Sequence, residues 1–415
     1  MFGCLLPAPW LGVAAGLLLA FGPAAGLPDR YAPLTLALTH WLVLGMLAPV
    51  MLGAMFQLMP VVAGQTVVFA RYISPFVALG SAAIAACLSA GFLSGERAGF
   101  VWAARLAAVL YGAVVLALAG AAWRVSVTDA TTRTLRWIAL ALAVVIGLGI
   151  AMAGSFAGWW QIQVLRWLDL HVAWGLLGWI AALVLGVAST VVPMFWQTGR
   201  PGARWQRSAP GLLWLPLLLA AWAPLWQFAL WSACAIVAGF AVLALHAVWQ
   251  AKRRFDPAWI LWLACALSWL AAALLTALQT LFAAHLPQQI ALCLPWWIGV
   301  LALVGGAVLP VNAMLGKIIP FLVFLHLRRQ IPAGRRVPTM QAVLPPQRLQ
   351  WQARMVLLAL ALLLALPLAP SPLAVPAGLA FALSQGWMGG ALLLTLLRYR
   401  KELLPMLLAQ RLSPK

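Results

Sequence analysis

The chain has 415 residues, 65% of them hydrophobic and only 8% charged, against roughly 45–50% and about 25% in a soluble domain. That excludes a water-soluble globule. The net charge of +20 would suggest nucleic acid as a partner, but no soluble stretch presents a basic face, so nucleic acid is excluded and the expected partner is the lipid bilayer.

Stretches of about 20 apolar residues, the length that crosses a bilayer core, succeed one another almost without pause. Their backbone must satisfy its own hydrogen bonds in lipid, and they are too long and too uniformly apolar for barrel strands. The fold class is therefore all-α, a polytopic membrane helix bundle in one integral domain over residues 1–415.

The N-terminal MFGCLLPAPWLGVAAGLLLAFG lacks a basic leader and a clear cleavage site, and reads as a retained first span, about 9–27. Eleven more spans are expected at about 33–62, 74–94, 100–122, 137–158, 168–194, 211–225, 228–249, 257–284, 294–325, 355–369 and 374–397. Of the 26 Lys and Arg, 21 lie in loops on the exit side of even-numbered spans, and Arg30, Arg97, Arg105 and Arg166 lie on the other side. This asymmetry places both termini in the cytoplasm, in a membrane of the bacterial inner-membrane type.

The second, sixth and tenth spans share a design. Gly53 lies seven residues before Pro60, Gly186 seven before Pro193, and Ala313 seven before Pro320. The chain thus divides into three similar units, about 1–135, 136–255 and 256–415. His40 opens the second span and His171 the sixth, at the same place in their repeats, and the tenth has no histidine there. A histidine within hydrocarbon is costly unless paired or ligated, which makes His40 and His171 candidate cofactor-binding and metal-binding residues. The competing reading is a hydrogen bond between packed helices. His285, beside LPQQ on the same side, is a further metal candidate and equally a solvated interfacial residue; His246 and His326 adjoin basic loops.

All six carboxylates fall in loops or at span ends, which argues against a proton pump built on buried acids. Lys317 is the one charge inside a span and is expected to snorkel to the nearby interface. The tryptophans at span ends (Trp10, Trp102, Trp159, Trp160, Trp296 and Trp297) fit an interfacial aromatic belt. Trp41 and Trp174, beside the two histidines, fit the belt or the walls of a planar cofactor. The five cysteines form no CxxC pair and read as small hydrophobes. No phosphate-binding loop, HxH or HxxxH pair, or buried Ser/His/Asp set occurs.

Span two, with HWLVL and GAMFQLMP, span six, HVAWGLLGWIAALVLGVASTVVP, and span ten, ending MLGKIIP, resemble helices of the catalytic subunit I of the heme-copper oxidases and nitric oxide reductases. That resemblance implies twelve spans in three quasi-equivalent four-helix groups, as in cytochrome oxidase subunit I. It implies that His40 matches an axial ligand of the low-spin haem and His171 a copper ligand. The family's haem-ligating histidine pair falls near Ile298 and Val300, its two further copper histidines have no counterpart in span seven, and its active-site tyrosine is absent. Reduction of oxygen or nitric oxide at a haem–copper centre is not expected.

Two readings stay open. One is a divergent member of this superfamily, binding haem b or copper through its outer-side histidines for electron transfer, gas sensing or metal handling, with a redox partner or partner subunit. The other is a non-enzymatic accessory subunit or permease-like protein on the same fold, with no metal.

Overall fold

The computed structural model describes residues 2–330, 337–403 and 405. Among them no strand occurs, and eleven helices are long and apolar enough to cross a membrane. In chain order they are α1 (Gly3–Phe21), α2 (Pro33–Val62), α3 (Ala70–Ser94), α4 (Arg97–Ala122), α5 (Ala130–Phe156) and α6 (Val164–Trp196), then, after the shorter apolar α7 (Gly211–Ala220), α8 (Ala223–Trp249), α9 (Trp259–Phe282), α10 (Gln288–Arg329), α11 (Pro346–Leu368) and α12 (Pro370–Lys401). The protein is a multi-pass helical membrane protein. Arg335, Arg336 and the basic tail from Arg411 lie outside the described residues.

The expected seventh span is where sequence and structure part. α7 has ten residues, about 15 Å at 1.5 Å per residue, half of a hydrocarbon core about 30 Å thick. Proline is the cause. Pro216 inside the helix and Pro224 in the next turn each remove a backbone N–H, and the chain bends before α8 resumes.

α2, α6 and α10 share an irregularity that hydropathy does not reveal. Each widens into a π-helical stretch: Trp41–Leu47, Trp174–Ala181 and Leu301–Val308. Each stretch begins nineteen residues before the proline that marks its unit, Pro60, Pro193 or Pro320. The three units therefore repeat a backbone conformation as well as a spacing.

A π turn interrupts the regular hydrogen-bond ladder, and lipid offers freed carbonyls no alternative partner. Tryptophan supplies it. Trp214 Nε1 on α7 donates to the Gly178 carbonyl at 3.1 Å, and Trp269 Nε1 on α9 donates to that of Gly306 at 3.1 Å. The same device closes the end of α11, where Trp296 and Trp297 donate to the carbonyls of Leu363 and Leu364 at 2.8 and 2.7 Å. Pro367, four residues after Leu363, has no N–H to give. The sequence assigns these two indoles to an aromatic belt; in the structure they fasten α10 to α11. Trp10, Trp102, Trp159 and Trp160 are exposed, as a belt requires.

The small residue seven before each proline sits where helices approach closely. A Cβ on Gly53 would stand 2.9 Å from Cys4 Cβ, and one on Gly186 would run into the Thr134 side chain. Thr131 Oγ1 donates to the Gly186 carbonyl across the same gap at 2.6 Å. Ala313, in the third unit, is 1% exposed. The last span closes on the first by the same means: a Cβ on Gly16 would lie 2.6 Å from the Gly378 carbonyl oxygen.

Lys317 does not snorkel freely. Its ammonium is bonded to Asp256, with side-chain exposures of 15% and 14%, and lies 5.7 Å from the ring centre of Trp196. Asp256 sits at a span end, as its sequence position implies, but turns inward.

Two outcomes test this packing. Gly186→Ala should destabilise the protein by about 1–3 kcal/mol through overpacking, and Thr134→Gly combined with it should recover part of the loss, read by reversible unfolding in mixed micelles. Asp256→Asn strands a mostly buried ammonium and should cost about 2–4 kcal/mol. The double variant with Lys317→Met should cost less than Asp256→Asn alone.

Candidate functional site

A pocket of about 120 Å³ lies at the end of the bundle away from the basic loops. It is walled by α2, α3, α4, α5 and α6, so it draws on the first and second units together. The lining is almost wholly apolar. Phe92, Phe100 and Phe156, from the ends of α3, α4 and α5, pack ring to ring at 5.3 and 5.1 Å at one end. Tyr111, further along α4, has its hydroxyl bonded to Ser81 Oγ at 2.8 Å.

The polar atoms in this wall come mainly from His40 and His171. Their ring centres are 6.5 Å apart and the rings are 18° from parallel. The sequence sets the two histidines at one position in the repeat; counted from the marking prolines, they differ by two residues, His40 at twenty and His171 at twenty-two. On helices of different units this offset of about 3 Å still brings both rings to the same cavity.

Each ring is held by one nitrogen. His40 Nδ1 donates to the Leu36 carbonyl at 2.7 Å, one turn back on its own helix. His171 Nδ1 donates to the Val145 carbonyl on α5 at 3.0 Å. Main-chain carbonyls only accept, so both rings carry the proton on Nδ1 and keep the lone pair on Nε2. That is the tautomer a metal-ligating histidine needs, with its orienting hydrogen bond already made. Gly149 stands beside the His171 ring, where a Cβ would lie 3.1 Å from Cε1.

The mouths of α2 and α6 are tied together outside the cavity. Arg30, just before α2, bonds Asp169, two residues before His171, at 3.0 Å. Partial burial opposes the charge on Arg30, but hydrogen bonds to Asp169 and Tyr31 outweigh that and hold its guanidinium above its ordinary pKa.

Other expected participants lie elsewhere. His285 is exposed beyond the end of α9 and does not line the cavity; His246 pairs with Gln250, and His326 with Tyr399. Trp41 and Trp174 do not wall it either. Each folds back on the glycine four residues along its own π turn, Gly45 or Gly178. Ile298 and Val300 leave the third unit without a ligand at the corresponding positions. A residue the histidine pattern could not disclose is Met152, which lines the same pocket.

Among the described residues no group of three His, Cys, Asp or Glu gathers as a metal site. The donors on hand are the two imidazoles, with Met152 elsewhere in the same wall. His40 and His171, with ring centres 6.5 Å apart, are the residues that would hold a metal ion through their free Nε2 atoms. The space beside the rings, about 120 Å³, is smaller than the ~300–1,000 Å³ of sites for larger ligands. No family model and no curated protein matches the chain.

A dry apolar cavity of about 150 Å³ is enough to take up xenon. The wild-type protein should therefore show a saturable ¹²⁹Xe NMR shift. Ala104→Leu, which puts a larger side chain into the wall, should abolish it while leaving the protein folded.

Proposed function

We propose that this is a divergent membrane protein on a scaffold like that of heme-copper oxidase subunit I. In this reading it holds one copper ion between His40 and His171, and the cavity beside the ion admits a small gas molecule. The observation that carries it is the pair of rings 6.5 Å apart with both lone-pair nitrogens on Nε2, set in the wall of an apolar cavity.

The donor set favours the monovalent ion. The cost of charge in a medium of low dielectric rises with the square of the charge, and the site offers no carboxylate to offset a second unit. Imidazole and thioether together suit soft Cu(I), and Met152 lines the same pocket. When bound, copper would supply an open coordination position for a diatomic ligand. The chain's own part is to fix the two tautomers, hold the rings apart and exclude water.

Haem b is the less favoured cofactor because of the cavity's size. Gas sensing or metal handling suits the site better than gas reduction, since the further ligands and the tyrosine of the resembled family have no counterparts. The charge asymmetry supports a bacterial-type inner membrane with both termini in the cytoplasm. Electron transfer would call for a redox partner or partner subunit.

The competing reading keeps the histidines as packing residues with no metal, and their bonds to Leu36 and Val145 are compatible with it. Anaerobic loading with Cu(I), followed by metal analysis, decides. The proposal expects about one copper per chain, a carbonyl stretch of copper-bound CO in the infrared, and loss of both in His40→Ala and His171→Ala. A folded protein that stays copper-free through loading would end it, and a dithionite-sensitive Soret band lost in His40→Ala would replace copper with haem.

A further inference from the structure

The turn between α8 and α9 carries the one run of three consecutive cations in the chain, Lys252, Arg253 and Arg254. It joins two spans, so it lies at the membrane surface, on the basic-loop face. Lys252 and Arg254 are exposed, and none of the three cations forms an ion pair among the described residues. Asp256, the nearest carboxylate in sequence, is already engaged. It bonds Lys317, and its Oδ1 accepts from the Ala258 N–H at 3.0 Å. The turn therefore keeps its positive charge at the level where anionic lipids carry theirs.

The turn is held in one shape. Ala251 and Ala258, at its two ends, are buried. The Arg253 N–H donates to the Trp196 carbonyl at the end of α6 at 3.3 Å, and the Asp256 N–H to the Arg253 carbonyl at 3.2 Å. Trp259 Nε1 on α9 donates to the Val248 carbonyl of α8 at 2.8 Å and ties the two helices together beside the turn. Arg254 is fastened twice. Its Nε donates to the Ala251 carbonyl at 3.1 Å, and its guanidinium lies 5.4 Å from the ring centre of Trp249. Both Nη groups stay unbonded among the described residues. A guanidinium fork set in place beforehand loses little freedom when it takes a phosphate bidentately. The surroundings suit the rest of a lipid. Trp249, which packs against Trp259 at 6.2 Å, is 58% exposed, and Phe255 is 81% exposed. Val242, seven residues before Trp249 and so on the same face of α8, is exposed as well.

We propose that this turn is a binding site for the headgroup of an anionic phospholipid. Arg254 takes the phosphate through its two Nη groups, Lys252 and Arg253 add charge around it, and an acyl chain runs from Trp249 along Val242. Charge selects the occupant. A zwitterionic headgroup brings an ammonium of its own, which three cations repel, whereas an anionic headgroup brings only the phosphate. The ring beneath the guanidinium sets this turn apart from the loop between α6 and α7. There Arg200, Arg204 and Arg207 bring equal charge to the same face, but no guanidinium among them rests on a ring. The site is independent of the histidine pocket and lies at the opposite end of the bundle.

The test uses the full chain, purified from membranes in a mild nonionic detergent. Bound lipid is counted by native mass spectrometry as phosphatidylglycerol or phosphatidylcholine is added. Each cation near an anionic surface is worth about fivefold in affinity, so phosphatidylglycerol should bind at least about tenfold more tightly than phosphatidylcholine. Lys252→Gln, Arg253→Gln and Arg254→Gln combined should abolish that preference. Arg200→Gln, Arg204→Gln and Arg207→Gln combined remove the same charge from the same face and should leave it unchanged. Trp249→Ala keeps the charge and should still weaken phosphatidylglycerol binding about threefold, because the guanidinium loses its ring. Equal weakening in the two triple variants would mean general attraction to a basic face and would overturn the site. So would equal affinity for the two lipids. Inorganic phosphate bound as tightly as phosphatidylglycerol would reassign the cations to a free anion and overturn it as well.

Discussion

Everything in this fold answers to one constraint: a backbone in hydrocarbon must find every hydrogen bond within the protein. Three of the spans break their own ladder with a π turn at a fixed distance from a proline, so the constraint is sharpest there. The solutions are local and chemical. Glycine lets the neighbouring helix come close, and an indole N–H from that neighbour takes a glycine carbonyl, as Trp214 does for Gly178 and Trp269 for Gly306. The same chemistry recurs where Pro367 leaves Leu363 without a donor. Much of the tryptophan in this chain is therefore a means of completing backbone hydrogen bonds rather than of floating helices at an interface.

The π turns also explain how the histidines meet. An α-helix that widens by a residue rotates its later turns relative to its earlier ones, so the residues just before the π turn face differently from those after it. His40 is the last residue before its π turn, and His171 stands three before its own. Both fall on the part of the helix that faces the cavity between the first two units. Their second nitrogens are fixed in different ways, one by its own helix and one by α5, so the pair is not a symmetric copy. The site belongs to the junction between units and not to either alone.

Much of the architecture was legible in the sequence, because span length and apolar composition are direct consequences of the bilayer. Gly53 and Gly186, seven residues before Pro60 and Pro193, do mark places of close helix approach. The short α7 was not, since its composition is as apolar as that of any span and only Pro216 and Pro224 signal the break. His40 and His171 stood out as candidates because imidazole in hydrocarbon is rare. That they share a cavity was hidden, because helix adjacency across units is a matter of tertiary packing and the π turn has no compositional mark. Met152 was invisible for a plainer reason: one thioether among twelve has no pattern until the cavity around it is known. Lys317 misled in the opposite way, because its partner Asp256 lies 61 residues earlier, just outside the neighbouring span.

The units also divide their polar chemistry. The first two concentrate imidazole at the end away from the basic loops, in an almost wholly apolar setting. The third has Val300 and Ile298 where histidines would stand, and invests instead in amides and an ion pair toward the other end. An amide in hydrocarbon is tolerable only if water reaches it or another amide does. Gln385 and Met46, of the first π turn, meet at Gly12, where the amide-bearing last span packs against the first unit.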